Sequence, residues 1–408
     1  MTSDEDRFLD RAKELDEQDP LAHFRDRFVP AEGVVAYLDG NSLGRPLAVT
    51  AERMQTFITH AWGTRLIRGW DEGWLGWPER IGDLIGAGVI GAAPGQTVVA
   101  DSTTVMLYKL ARAALGARPD RTEIVLDTDN FPTDRYVLEG IAAESGLTLR
   151  WVETDPDSGV VPEQVAEVVG ARTALVVLSH VAYRSGFMAD VPTITSIAHD
   201  AGALVLWDLC HSAGSVPIHL DEWGVDLAVG CTYKYLNGGP GAPAFGYVRS
   251  GLHGQVQQPI WGWMGGKDIF EMAPGYAPAD GIRSVVSGTP PILGMLPVRD
   301  GVELTVEAGI EAIRAKSLLL TGFAIEMIDS WPAGLGIRVV SPRKGRERGG
   351  HVAIARPDFR ELMPELHARG VIPDFRAPDG IRIGLAPLST SFVEVYDAMQ
   401  VIRSVVGD

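Results

Sequence analysis

The sequence predicts an α/β protein: a large domain built on a mostly parallel sheet, with a smaller α+β domain after it. Three observations lead there. From about residue 97, short apolar runs alternate with amphipathic helical stretches, the pattern of a parallel sheet covered on both faces. After about residue 300 that alternation gives way to a long helical tract and then to strands mixed with helices. At 408 residues the chain suits one large domain plus a smaller one. The expected division is an N-terminal segment over 1–50 that joins the small domain, a large domain over 51–300 and a C-terminal small domain over 301–408.

In chain order, residues 1–30 read as a short helix and a connector. "VVAYLDGNSLG" (34–44) reads as a strand entering an Asp-Gly-Asn turn, and 47–92 as helical, interrupted by glycines and four tryptophans. Six strands follow: "TVVAD", "EIVLD", "TLRWVE", "TALVVLS", "ALVLWDL" and "GVDLAVGCTYK". Helices such as "TVMLYKLARAALG" and "TITSIAHDAG" lie between them. The tail holds a helical tract over 290–328, then "IRVVSP", "HVAIARP", the helix "DFRELMPELHARG", "IRIGLAP" and a last helix near "FVEVYDAMQVIRSVV".

Composition excludes some classes. The net charge of −17 argues against nucleic acid, whose phosphates call for a basic surface. Cys210 and Cys231 are the only cysteines, too few for a disulfide framework or a four-ligand zinc site, so a reducing cytoplasm is expected. The charged N-terminal stretch lacks the apolar core of a signal peptide, and no run of about 18 apolar residues predicts a membrane span. "GAGVIG" (86–91) fits the dinucleotide fingerprint G-x-G-x-x-G. The stretch before it has helical spacing, and Pro94-Gly95 follows, so its glycines are expected to close a helix rather than cradle a pyrophosphate.

The chemistry gathers at strand ends. "GVDLAVGCTYK" delivers Lys234 at the carboxyl end of a buried strand, where open α/β sheets bind ligands. A partly desolvated lysine there can act as an amine nucleophile; an ordinary loop lysine is the plain alternative. "LVLWDLCHSAG" ends another apolar strand at Asp208, with His211 three residues on. A carboxylate so placed needs a cationic partner or several donors. A pyridinium nitrogen is one candidate, and capping of a local loop is the other reading. Ser102, Thr103 and Thr104 precede an amphipathic helix, as an N-cap, a phosphate site or both. In "DNFPTDRY", Phe131 offers a ring face and Asp134 a carboxylate close by.

Taken together, "YLDGNSLGRP", "DSTTVMLYK", "NFPTDRY", "LSHVAYRSG", "WDLCHSAGSVPIHLDEWGVDLAVGCTYKYLNGGPGAPAF", "GWMGG", "SGTPPIL" and "DGIRIGLAPL" resemble the kynureninase family, over nearly the whole chain. That family is a fold-type-I group of pyridoxal-phosphate enzymes in the aspartate aminotransferase superfamily. The resemblance implies a seven-stranded, mostly parallel sheet and hydrolytic Cβ–Cγ cleavage of L-kynurenine, or of a ring-substituted kynurenine, to the matching anthranilate and L-alanine, within tryptophan catabolism. It implies pyridoxal 5′-phosphate as cofactor, with Lys234 carrying it and later moving the α-proton, and Tyr233 delivering a proton near Cβ. Asp208 would pair with the pyridine nitrogen, Phe131 would stack on the ring, and Asp134 and His211 would support it. Thr103, Thr104, Tyr233 and Ser179 would line the phosphate and ring oxygen. Trp263 and Thr289 would reach the phosphate from a second subunit, making the active unit a homodimer. Arg382 would clamp the substrate α-carboxylate and Trp70 would border the aryl site. Ala182, Gly266 and Ser389 depart from the family's usual asparagine, histidine and tyrosine. They leave open a specialised lyase with poor activity on L-kynurenine. A cysteine desulfurase-like lyase is a separate alternative; it calls for a mobile nucleophilic cysteine in the C-terminal half, whereas both cysteines here lie at or before residue 231, inside the expected sheet.

Overall fold

The computed structural model describes residues 4–272 and 274–407. Its centre is a seven-stranded sheet. In chain order its strands are β1 (Thr97–Val99), β2 (Glu123–Asp127), β3 (Thr148–Val152), β4 (Thr173–Ser179), β5 (Leu204–Asp208), β6 (Leu227–Gly230) and β7 (Phe245–Val248). They lie in the order β1-β7-β6-β5-β4-β2-β3, parallel except for β7, which runs antiparallel to both neighbours. Alternate residues face opposite sides. Val125, Val176, Val205, Trp207 and Ala228 enter one hydrophobic core, while Ile124, Leu126, Leu175, Leu206 and Leu227 enter another. That two-sided burial is why these strands read as continuous apolar runs.

Register fixes what the sheet presents at its carboxyl edge. Ser179 pairs with Asp208, and Asp208 with Val229. Three strand ends are therefore level, and the segment leaving β6 carries Tyr233 and Lys234 just past them. The helix α1 (Thr103–Gly116) begins at the same edge; Ser102 is extended and its hydroxyl accepts the Val105 N–H at 3.4 Å.

A third core lies beneath a four-stranded antiparallel sheet, ordered Asp374–Arg376, Gly380–Gly384, His351–Ala355, Arg338–Val339. The helices Ile310–Asp329 and Phe392–Gly407 pack on it, and so do Phe8 and Ala12 of the helix Asp4–Glu17. The Asp16 carboxylate accepts the backbone N–H groups of Phe392 and Val393 at 2.9 and 3.0 Å, capping the last helix. Ala36–Tyr37 pairs in parallel with Val371–Ile372.

The structure adjusts several expected elements. The strand in "GVDLAVGCTYK" ends at Gly230, so Lys234 rides on a turn and not on the strand itself. The helical tract breaks at Gly309, whose φ of 78° leaves the helical region, into α2 (Ile292–Ala308) and Ile310–Asp329. Over 47–92 short helices alternate with wider and tighter turns. "GAGVIG" forms one of these: a π-helical turn continues the helix Trp77–Ile85, and Gly91 closes it in the left-handed region. The seventh strand, β7, follows "GGPGAPA" and is one the residue pattern did not single out.

Candidate active site

Lys234 is 8% exposed. Its Nζ lies 3.4 Å from both ring nitrogens of His211 and 5.9 Å from the ring centres of Phe131 and Tyr233. The backbone around it is held from several sides. The Lys234 carbonyl accepts the Asn237 N–H at 2.9 Å, and the Tyr233 carbonyl accepts the Gly44 N–H at 2.8 Å. Gly44 is required there, since a Cβ on it would stand 2.3 Å from the Lys234 carbonyl.

Asp208, at the end of β5, is buried, and its Oδ1 accepts the Cys210 N–H at 2.6 Å. Asp134 is buried against it. Burial first, and the Asp208 carboxylate second, push the Asp134 carboxyl well above the usual range. Its Oδ2 finds no hydrogen-bond partner among the described residues. His211 is fully enclosed. Burial, then the positive charges of Lys234 and Arg382, push it well below its ordinary value and keep it neutral.

Arg382 lies on Gly380–Gly384, an inner strand of the small sheet, and is 2% exposed. It is no solvated strand-edge charge. Its Nε donates to Asp374 Oδ2 at 2.7 Å and its Nη2 donates to the same oxygen. Nη1 donates to the Tyr183 carbonyl at 2.7 Å and meets His211 Nε2 at 3.2 Å, and Nη2 donates to Ser42 Oγ at 2.8 Å. The turn over 39–44 thus touches both the arginine, through Ser42, and the lysine segment, through Gly44.

A cavity of about 500 Å³ opens beside Tyr233, lined by Asp101, Ser102, Thr103, Thr104, Ser287 and Thr289 among others. Thr103 Oγ1 is buried and has no hydrogen-bond partner among the described residues. An unpaired buried hydroxyl is costly unless a ligand completes it. Hydroxyls converging at a helix start form a donor set suited to a phosphate, while the paired acids and the lysine suit a pyridine ring with an aldehyde. These residues fit pyridoxal 5′-phosphate.

The other expected residues fall nearby. Phe131 meets Tyr183 edge-on at 5.4 Å between ring centres. Ser179 Oγ donates to Asn130 Oδ1 at 3.1 Å, and Asn130 also accepts the Phe131 N–H at 2.8 Å. Asn130 was not singled out, although it stands inside "DNFPTDRY". Asp374 was missed as well. Trp70 packs edge-on against Trp74 and lines a second, apolar cavity of about 420 Å³ with Phe57, Trp62 and Ile67; Pro290 and Pro291 border both cavities. Trp263 is exposed on a short helical turn, outside the lining of the cavity that holds Thr289. Ala182 lines a cleft with Asn130, Ser179 and Tyr183, Gly266 bridges to Pro278, and Ser389 is buried with its carbonyl facing Arg45.

With that geometry in place, likeness to known proteins decides the family. The chain is 43% identical over 399 residues to a kynureninase of Pseudomonas fluorescens, covering 96% of this chain and 94% of that one. It is 41% identical over 403 residues to a kynureninase of Burkholderia pseudomallei, covering 97% and 95%. The chain belongs to the kynureninase family. Residues 313–402 match the family model described as the kynureninase C-terminal domain, and 94–217 match that of the DegT/DnrJ/EryC1/StrS aminotransferases. Among solved structures, a C-DES variant with glycine covalently linked to its PLP cofactor superposes with a TM-score of 0.81 at 16% identity, over 94% of this chain and 99% of that one. A cysteine desulfurase from Thermococcus onnurineus superposes with a TM-score of 0.75 at 18% identity, over 97% and 98%. At those identities the likeness is one of fold, the fold-type-I architecture of pyridoxal-phosphate enzymes. A kynureninase-family chain with this architecture is a pyridoxal-phosphate enzyme, and the desulfurase alternative is not favoured.

Proposed function

We propose that this chain hydrolyses the Cβ–Cγ bond of L-kynurenine with one water, giving anthranilate and L-alanine. The observation that carries the reading is the meeting of a buried lysine, a buried arginine and a buried acid pair beside a hydroxyl-lined cavity, in a chain of the kynureninase family.

When bound, pyridoxal 5′-phosphate supplies an electron sink for the charge left as bonds to the substrate's α-carbon break. Thr103 and Thr104 would hold its phosphate, with Ser179 and Tyr233 beside the ring oxygen. Phe131 would cover the ring, and Asp208 would keep a proton on its nitrogen. Lys234 would hold the cofactor's aldehyde end and would move the proton at Cα, with its reach set by the fixed backbone of the turn. Burial, first among the causes, raises the Tyr233 phenol above its ordinary value and keeps it protonated; its place next to Lys234 in the chain is what would make it the proton source at Cβ. Arg382 binds the α-carboxylate through its planar fork of donors.

The reading includes a homodimer with active sites at the interface, Trp263 and Thr289 serving the neighbouring site, and Trp70 near the aryl group. Exposed Trp62, Leu66, Ile67 and Leu293 around the apolar cavity support such an interface. It also includes the division at about residues 50 and 300, and a cytoplasmic location, which two free buried thiols support. The test is anthranilate fluorescence on mixing cofactor-loaded protein with L-kynurenine. Turnover that vanishes in Lys234→Ala is the expected result. Cofactor-loaded protein without turnover would overturn the substrate assignment.

A further inference from the structure

Lys109 is a fully buried cation that the chemistry above does not use. It sits on α1, and its Nζ reaches the Asp101 carboxylate at 2.5 Å and the Val285 carbonyl at 3.0 Å. Asp101 lines the hydroxyl-lined cavity, and Val285 directly precedes Val286, which lines its other wall. Asp101 directly precedes Ser102, Thr103 and Thr104. Val285 leads into the segment that carries Ser287 and Thr289. Asp101 is also a non-glycine residue at φ 55°, a conformation that needs support, and its carbonyl accepts the Ala244 N–H at 2.9 Å.

A carboxylate lining an anion cavity is at odds with the ligand, since like charges repel, and more strongly in a partly buried site than in water. The ammonium behind Asp101 cancels that charge. We propose that Lys109 is a positioning residue for phosphate recognition, which holds both walls of the cavity together and neutralises Asp101. The proposal rests on the reading that this cavity takes the cofactor's phosphate.

The experiment compares apo-protein affinity for pyridoxal 5′-phosphate with that for pyridoxal, followed by absorbance titration. The variants are Lys109→Met, Lys109→Arg, Asp101→Asn and the Lys109→Met/Asp101→Asn double. Lys109→Met should lose at least about tenfold in affinity for the phosphate ester while pyridoxal binding changes by less than about twofold. The double variant should recover most of that selectivity and Lys109→Arg part of it. Asp101→Asn alone, which keeps the cation, should preserve or increase selectivity for the ester even if Lys109→Met fails to fold. Equal losses for both ligands, a double variant no better than the single, or a selective loss in Asp101→Asn would overturn the proposal. Wild-type protein that binds the two ligands alike would instead overturn the assignment of the cavity to phosphate.

Discussion

Arg382 shows how little slack a buried side chain has. A guanidinium has five N–H groups, and Asp374, Ser42, Tyr183 and His211 between them engage all three of its nitrogens. On the role proposed above, a substrate carboxylate would take over donors already in use, with the planar fork meeting it along one edge. Lysine offers no such edge. Arg382→Lys is expected to raise KM for L-kynurenine about tenfold or more, with a smaller fall in kcat, as steady-state kinetics would read. An unchanged KM would remove the arginine from carboxylate binding. Lys234 and Asp208 were legible because each follows an apolar run that could only be a buried strand. Asp374 was not, because it gains its role through strand pairing with Arg382 eight residues later. Lys109 was hidden differently: in "YKLARAAL" a helical lysine reads equally well as a solvent-facing one.

Among the elements, the parallel strands were legible because burial on both faces leaves an apolar signature. Asp374–Arg376, with its polar "DFR", carries none, and β7, although apolar and buried, is only four residues long and follows a loop rich in glycine and proline. The helix α2 supplies a further constraint. Gly301 lies within it, and a Cβ there would stand 1.9 Å from the Leu236 carbonyl, two residues after Lys234. Glycine normally weakens a helix interior by about 1 kcal/mol relative to alanine. Here its absent side chain lets the helix back directly onto the lysine turn. Gly301→Ala is thus expected to destabilise the fold by about 1–3 kcal/mol, against its helix propensity, and to lower activity by moving the turn. Denaturant unfolding together with anthranilate release would measure both, and a stabilised, fully active variant would refute the close approach.

At the scale of the whole molecule, four exposed apolar residues, Trp62, Leu66, Ile67 and Leu293, gather around one cavity. Ile67 is 76% exposed and Leu66 57%, and both border the cavity that also holds Trp70. Water is a poor cover for such a surface. Ile67→Asp is expected to shift the protein from dimer to monomer in light scattering, with loss of turnover. A monomeric wild type of full activity would refute the shared site. The turn over 39–44 has a different reach. Because Ser42 grips the arginine and Gly44 the lysine segment, this one short stretch works as a gauge for the spacing between amine and carboxylate. Every α-amino acid presents that same spacing, whatever its side chain. On the reading proposed above, the chain measures what its substrates have in common in one place and sorts what distinguishes them in another. Its preference for side chains is then free to change without disturbing the gauge.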